Sequence, residues 1–174
     1  GITPQYAKIE MRRRLTLISS MMVRKGDADG LICGTYGTTH LHLQYIDNVL
    51  GKRPGAKTYA AMNALMLPER FVFMVDTHVN YDPTAEELAE ITMMAAEEVR
   101  RFGITPKVAL LSHSNYGTSE HPSAIKMRKV YELLKTLAPT LEMDGEMHGD
   151  TALREDIRAE LFPNSPLKGS ANLL

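Results

Sequence analysis

Residues 84–103 constrain this chain more than any other stretch. Thr84 and Glu87 stand at capping-box spacing, where each side chain can satisfy the other's backbone N–H. Leu88, Ile91, Ala95, Val99 and Phe102 then recur at helical intervals until Gly103. A helix with one long apolar stripe has to lay it against a second layer. Short apolar runs flank it: Tyr59 to Leu67 and Phe71 to Val79 before, Val108 to Leu111 after. Pro68, Glu69 and Arg70 join the first two runs, which predicts an antiparallel hairpin. A second amphipathic helix is expected over 123–137, stopping before Pro139, with a short strand over 141–145 and a helix over 151–161. Ala171-Asn172-Leu173-Leu174 reads as a strand beginning. Strand, helix, strand, helix in succession is the pattern of an α/β sheet with crossover helices.

The first part of the chain is read in the same way. Thr3 and Pro4 form a helix start, because threonine caps and proline at the first helical position loses no bond. Residues 4–25 are expected to form one helix or two in succession, ending at Gly26. Ala28 to Gly34 is an apolar run between glycines and predicts a buried strand, with Cys33 as a small buried hydrophobe. A helix follows over 40–50. The methionine pairs Met21-Met22 and Met93-Met94 are expected to fill the core. Both ends look cut: Gly1 opens directly on a helix cap and Leu174 ends within an apolar run, so a fragment of a longer protein is expected.

Composition narrows the class. A chain of 174 residues suits about one domain with room for a second lobe, and should bury about 70 % of its unfolded surface without staples. One cysteine permits no internal disulfide, consistent with a reducing, cytoplasmic setting. The 20 basic against 21 acidic side chains give no electrostatic reason to expect nucleic acid, which calls for a basic face. No apolar run approaches the roughly 20 residues a membrane helix needs, and Arg12, Arg13 and Arg14 interrupt any signal-peptide pattern.

Three segments could carry chemistry. The turn Gly34-Thr35-Tyr36-Gly37-Thr38-Thr39 precedes a helix, whose free N–H groups attract anions while hydroxyls add donors. It fits neither a P-loop nor a dinucleotide fingerprint, so a tight strand-to-helix connection stands beside the anion reading. Ser112-His113-Ser114-Asn115-Tyr116-Gly117 follows a strand, at the edge where α/β sheets bind ligands. Adjacent strand residues point to opposite faces, so a serine–histidine dyad is disfavoured and a structural turn favoured. Asp144-Gly145-Glu146-Met147-His148-Gly149-Asp150 collects acids and a histidine, but its spacing matches no metal motif. Helix capping and pairing with Lys or Arg are expected there. His40 and His42 at i, i+2 are read as surface or groove residues. The residues alone say an α/β domain with an anion or nucleotide-type site.

A resemblance goes further. Gly30 to Gly51, Ala60-Ala61-Met62-Asn63-Ala64-Leu65, Asp76-Thr77-His78-Val79-Asn80, Ala89 to Gly103 and Leu110 to Gly117 resemble the phosphotransacetylase-like region of bacterial NADP-dependent malic enzymes, within the phosphate acetyl/butyryltransferase family. Asp144 to Asp150 and Leu167-Lys168-Gly169-Ser170-Ala171-Asn172 resemble the malic-enzyme branch in particular. The resemblance implies a two-lobed α/β/α sandwich, present as a fragment: 1–65 within the first lobe and 66–174 within the second, inserted lobe. It implies a regulatory and oligomerisation role, with acetyl-CoA as effector in a cleft walled by Thr35, Tyr36, Thr38, Thr39, Ser112 and Ser114. Lys52 and Arg53 are further candidates for its phosphates. NADP, a divalent metal and the oxidative decarboxylation of malate to pyruvate would belong to a malic enzyme domain of the same chain, outside these residues. A homo-oligomer, at least a dimer, is implied as well. The transferases of the family carry an arginine where Gln44 stands, and their serine–arginine motif and following aspartate lie beyond Leu174. No catalytic residue is therefore expected here, and a truncated transferase is the alternative.

Overall fold

The computed structural model describes residues 2–174. They divide into two units, one running up to Lys57 and the other Thr58–Leu174. This boundary precedes the expected one at 65, because residues 62–67 pair with the strand that follows them.

The first unit is helical. Thr3 caps α1 (Pro4–Arg13) by accepting the Tyr6 N–H at 3.2 Å. Arg14 breaks out of helical geometry, so α2 (Leu15–Lys25) is a second helix rather than a continuation. Gly26 ends α2 at φ 79°, where the Asp27 N–H reaches back to Met22 O at 2.9 Å. α3 (Thr39–Val49) starts at the Thr38 cap, and Arg24 donates to the Val49 carbonyl at its far end. The expected strand over 28–34 does not form, and Ile32 and Cys33 are exposed rather than buried. A strand needs a neighbour for its backbone groups, and no other segment of this unit is extended into a ladder among the described residues. Met22 is likewise exposed rather than core filler.

The second unit is built on a sheet. β1 (Met62–Leu67) and β2 (Arg70–Val75) form the expected antiparallel hairpin, with Leu67 opposite Arg70 and Met62 opposite Val75. β3 (Lys107–Leu111) and β4 (Glu142–Met147) pair in parallel. The end of the chain joins these two pairs. Phe73 N–H donates to Asn172 O at 2.8 Å, Val75 N–H to Leu174 O at 2.9 Å, and Leu174 N–H to Phe73 O at 2.8 Å. On the other side Ala109 N–H donates to Leu173 O at 2.9 Å, and Leu173 N–H to Lys107 O at 3.1 Å. Leu173 bridges β2 and β3 in parallel, so the order across the sheet is β1, β2, the 172–174 segment, β3, β4.

Alternation along β3 sorts two cores. Val108 and Leu110 face α4 (Ala85–Arg101) and α5 (Pro122–Leu137), in a cluster with Phe73, Ala96, Val130 and Leu134. Ala109 faces the opposite side, with Met147, Ala152, Leu167 and Ala171. The Thr84–Glu87 box closes as expected: Glu87 N–H donates to Thr84 Oγ1 at 3.2 Å and Thr84 N–H to Glu87 Oε2 at 2.7 Å. The helix expected over 151–161 is instead two, α6 (Gly149–Leu153) and α7 (Glu155–Leu161). Arg154 is extended between them, and the guanidinium of Arg158 binds the α6 carbonyls of Thr151 and Ala152 at 3.0 and 3.2 Å.

β2 ends earlier than its apolar run because Asp76 gathers the backbone beyond it. Its Oδ1 accepts the N–H groups of Ala61, His78 and Val79 at 3.0, 3.3 and 3.2 Å, and its Oδ2 accepts that of Asn80 at 2.6 Å. Partial burial pushes its pKa up, but the accepted bonds from Ala61, Asn80 and Val79 outweigh this and hold the carboxyl below its ordinary value.

Two outcomes test these contacts. Leu173 is fully buried, so Leu173→Ala should lower unfolding free energy by about 2–5 kcal/mol in urea titrations. A loss well under 1 kcal/mol would show that the 172–174 segment does not join the sheet. Asp76 has a depressed pKa, so its stabilisation is full above the ordinary value of 3.8 and fades as pH falls through the folded value. Asp76→Asn should therefore be about 1–3 kcal/mol less stable at neutral pH, with the gap closing in acid; a gap that does not change with pH would contradict this.

Candidate functional site

In the second unit, the parallel arrangement of β2, Leu173 and β3 brings the carboxyl ends of β2 and β3 to one edge. A pocket of 290 Å³ opens there. Asp76 and Ser112 form its strand side, Asn80 and Tyr81 come from the loop after β2, and Ser123 and Lys126 from the first turns of α5. Lys126 is held by Asp82 and by Pro83 O at 2.9 Å, so its charge is already partly matched.

Of the two serines expected at this edge, Ser112 lines the pocket. Its N–H donates to Met147 O at 3.0 Å, and its hydroxyl oxygen accepts the Ser114 N–H at 3.2 Å. Ser114 is 2 % exposed and its hydroxyl donates to Glu146 Oε1 at 2.7 Å. His113 turns to Ser119 Oγ at 3.0 Å and meets His121 edge-on, with ring centroids 5.3 Å apart. The loop is built around internal partners. Tyr116 takes φ 44° and donates its hydroxyl to Asp144, while its ring packs on Phe162. Burial, then the proton held between phenol and Asp144, push the Tyr116 pKa well above the ordinary range.

The acidic segment 144–150 behaves differently from expectation. Asp144 and Glu146 are buried and do not cap the next helix. Asp144 accepts the hydroxyls of Tyr116 and Ser165 and the Gly145 N–H. Glu146 pairs with Arg128 at 3.3 Å, the cation partner that was expected. Only Asp150 serves the helix start, accepting the Thr151 N–H at 2.8 Å.

The 34–39 turn lies in the first unit and lines a separate 360 Å³ pocket. Thr35, Tyr36 and Gly37 form one side, and Arg13, Arg14 and Thr16 another. Thr38 spends its hydroxyl on the Leu41 N–H at 3.3 Å and Thr39 is the first residue of α3, so neither lines the pocket. His42 fixes the turn. Its Nε2–H donates to Tyr36 O at 3.1 Å, which leaves Nδ1 to accept the Thr16 hydroxyl at 2.7 Å. Gln44 bonds to His40 at 2.9 Å. Lys52 pairs with Asp47 at 3.5 Å, and neither Lys52 nor Arg53 lines this pocket. The cations present are Arg13 and Arg14. Arg14 pairs with Glu10 at 3.4 Å, whereas Arg13 has no ion-pair partner among the described residues. Their three-arginine run was visible in the sequence, but nothing in it pointed toward a turn some twenty positions on.

No helix among the described residues is long and apolar enough to cross a membrane. Comparison with known proteins agrees with this architecture. The family model "Phosphate acetyl/butaryl transferase" matches residues 1–174. An NADP-dependent malic enzyme of Escherichia coli is 55 % identical over the whole chain, which spans 23 % of that relative's length. A phosphate acetyltransferase of Paracoccus denitrificans is 38 % identical over 99 % of the chain and 56 % of its own. A phosphotransacetylase structure from Streptococcus pyogenes superposes with TM-score 0.84 at 31 % identity, covering 94 % of this chain and 50 % of that one. The chain has the α/β fold of these enzymes and belongs to the phosphate acetyl/butyryltransferase family.

Proposed function

We propose that this chain is the phosphotransacetylase-like regulatory and oligomerisation region of an NADP-dependent malic enzyme, and that it senses acetyl-CoA. The observation that carries the reading is the 55 % identity to malic enzymes along all 174 residues, against 38 % to a phosphate acetyltransferase. In this reading the malic enzyme domain, with its NADP and divalent metal, converts malate to pyruvate elsewhere in the same polypeptide, in the cytoplasm. The region described here forms an oligomer, at least a dimer, and passes effector binding to that domain.

The site chemistry supports an anionic, phosphorylated effector. Arg13 and Arg14 stand beside Thr35 and Tyr36 in a pocket next to the start of α3. Guanidinium groups, hydroxyls and free helix N–H groups suit phosphate oxygens. In the other unit the Ser112 pocket offers hydroxyl and amide groups at a sheet edge of the kind α/β proteins use for ligands. Thr38, which accepts the Leu41 N–H, and Ser114, which donates to Glu146, hold these walls, and Thr39 opens α3 beside them. Gln44 bonded to His40 argues against acyl transfer to phosphate, because it supplies no fixed cation where the family's transferases carry arginine. Regulation then needs only a modest difference in effector affinity between two states of the assembly, typically about 1–3 kcal/mol.

Calorimetric titration of the purified protein tests this reading, with free CoA and inorganic phosphate as controls. Saturable acetyl-CoA binding, stronger than either control and weakened about tenfold by Arg13→Gln, is the expected result. Absence of binding would overturn the sensing role. Conversion of acetyl-CoA and phosphate to acetyl phosphate and CoA would establish the transferase reading instead.

A further inference from the structure

Glu146 is fully buried, a position a carboxylate rarely takes without hydrogen-bond or ion-pair partners. The backbone places it there. Leu110 pairs with Gly145 and Leu111 with Met147, so Glu146 is the extra residue of a bulge in β4. Gly145 sits at φ 144°, and a Cβ there would lie 2.7 Å from Leu110 O, so glycine is required for the bulge to form. Bulges re-aim side chains, and they are frequent beside functional sites.

Here the bulge turns Glu146 toward the loop after β3. Its Oε1 accepts the Ser114 hydroxyl at 2.7 Å, the Gly117 N–H at 3.0 Å and Arg128 Nη1 at 3.3 Å. Its backbone carbonyl accepts the Tyr116 N–H at 2.8 Å. Oε2 has no partner among the described residues, so the hold of the carboxylate runs through Oε1. Arg128 also donates to Ser119 O at 3.0 Å, which secures the far side of the same turn. The loop's near end is Ser112, whose hydroxyl oxygen accepts the Ser114 N–H and lines the pocket.

We infer that Glu146, with Arg128 behind it, is a positioning residue: it latches residues 114–119 and thereby fixes the Ser112 hydroxyl at the pocket. That it matters for a ligand rests on the proposed acetyl-CoA reading; that it sets the loop does not. Glu146→Leu keeps a buried side chain of similar size and removes the acceptor. Glu146→Gln keeps an acceptor oxygen at the Oε1 position, removes the charge and puts an NH2 group where Oε2 stands.

Amide hydrogen exchange on the purified protein, read together with acetyl-CoA affinity, tests the inference. In Glu146→Leu, exchange across 114–118 should rise about tenfold or more, with α4 and β3 unchanged, and acetyl-CoA should bind several-fold more weakly. Glu146→Gln should restore most of both. Should Glu146→Leu fail to fold, Arg128→Met, at a partly exposed position, should show the same loop-specific rise. Unchanged loop exchange overturns the inference, and so does a loosened loop that leaves acetyl-CoA affinity untouched. A wild-type protein that does not bind acetyl-CoA overturns the functional reading alone, and loop exchange then decides the latch by itself.

Discussion

The second unit depends on three residues at the end of the chain lying between β2 and β3. Neither pair of strands would be a sheet of useful width alone, since an isolated two-stranded ladder is at best marginal in water. Asn172, Leu173 and Leu174 exchange backbone bonds with both neighbours, and Leu173 drives its side chain into the core with Phe73, Val99 and Leu110. Two consequences follow. The amphipathic faces of α4 and α5 gain one continuous floor, and the strand ends that carry Asp76 and Ser112 come to a common edge. The site therefore inherits its geometry from a contact between residues about a hundred positions apart.

That contact is delivered by an unusual cation. Arg158 is 1 % exposed and meets no carboxylate within salt-bridge distance among the described residues; it binds the carbonyls of Thr151, Ala152, Leu167 and Gly169. Several carbonyl dipoles replace water around the charge and tie the end of α6 to the segment that becomes the central strand. Asp144 and Glu146 solve the same problem with hydroxyls, amides and a half-exposed arginine. Burying charge is destabilising unless it is matched, and here the match of Glu146 runs through Oε1 alone, since Oε2 has no partner among the described residues. All three sit where an irregular segment must be held in one conformation, and this is where the matched bonds do most.

What the sequence made legible was set by local physics. The Thr84–Glu87 box, the α4 and α5 stripes and the hairpin at 68–70 rest on nearest-neighbour rules, and all three formed. The strand expected over 28–34 failed because an apolar run says nothing about whether a neighbour exists to pair with it. The roles of Asp76, Glu146 and Arg158 were invisible for the complementary reason. Glu146 reaches Ser114 and Gly117 across some thirty positions, and Arg158 reaches Thr151 and Leu167 past the two ends of its own helix. Asp76 curls the loop after β2 around itself while also holding Ala61. No spacing rule used on the sequence encodes these. Thr35, Tyr36 and Ser112 were singled out because turns beside helix starts and strand ends follow a rule of the fold class, and each lines a pocket. Arg13 and Arg14 were not, since their run reads only as charge until the fold brings it to the turn. The family itself was legible through resemblance, chiefly in strings such as Asp144 to Asp150.

In the proposed function, each of two separate pockets, one at the 34–37 turn and one at Ser112, receives an acetyl-CoA-type ligand. The most direct measurement is an amide chemical-shift titration of isotopically labelled protein with acetyl-CoA, resolved residue by residue. The account predicts saturable shifts concentrated at Thr35, Tyr36, Gly37 and Ser112, with the exposed β1 edge silent. Shifts absent from both segments, or gathered at β1 and the outer face of α4, would contradict it.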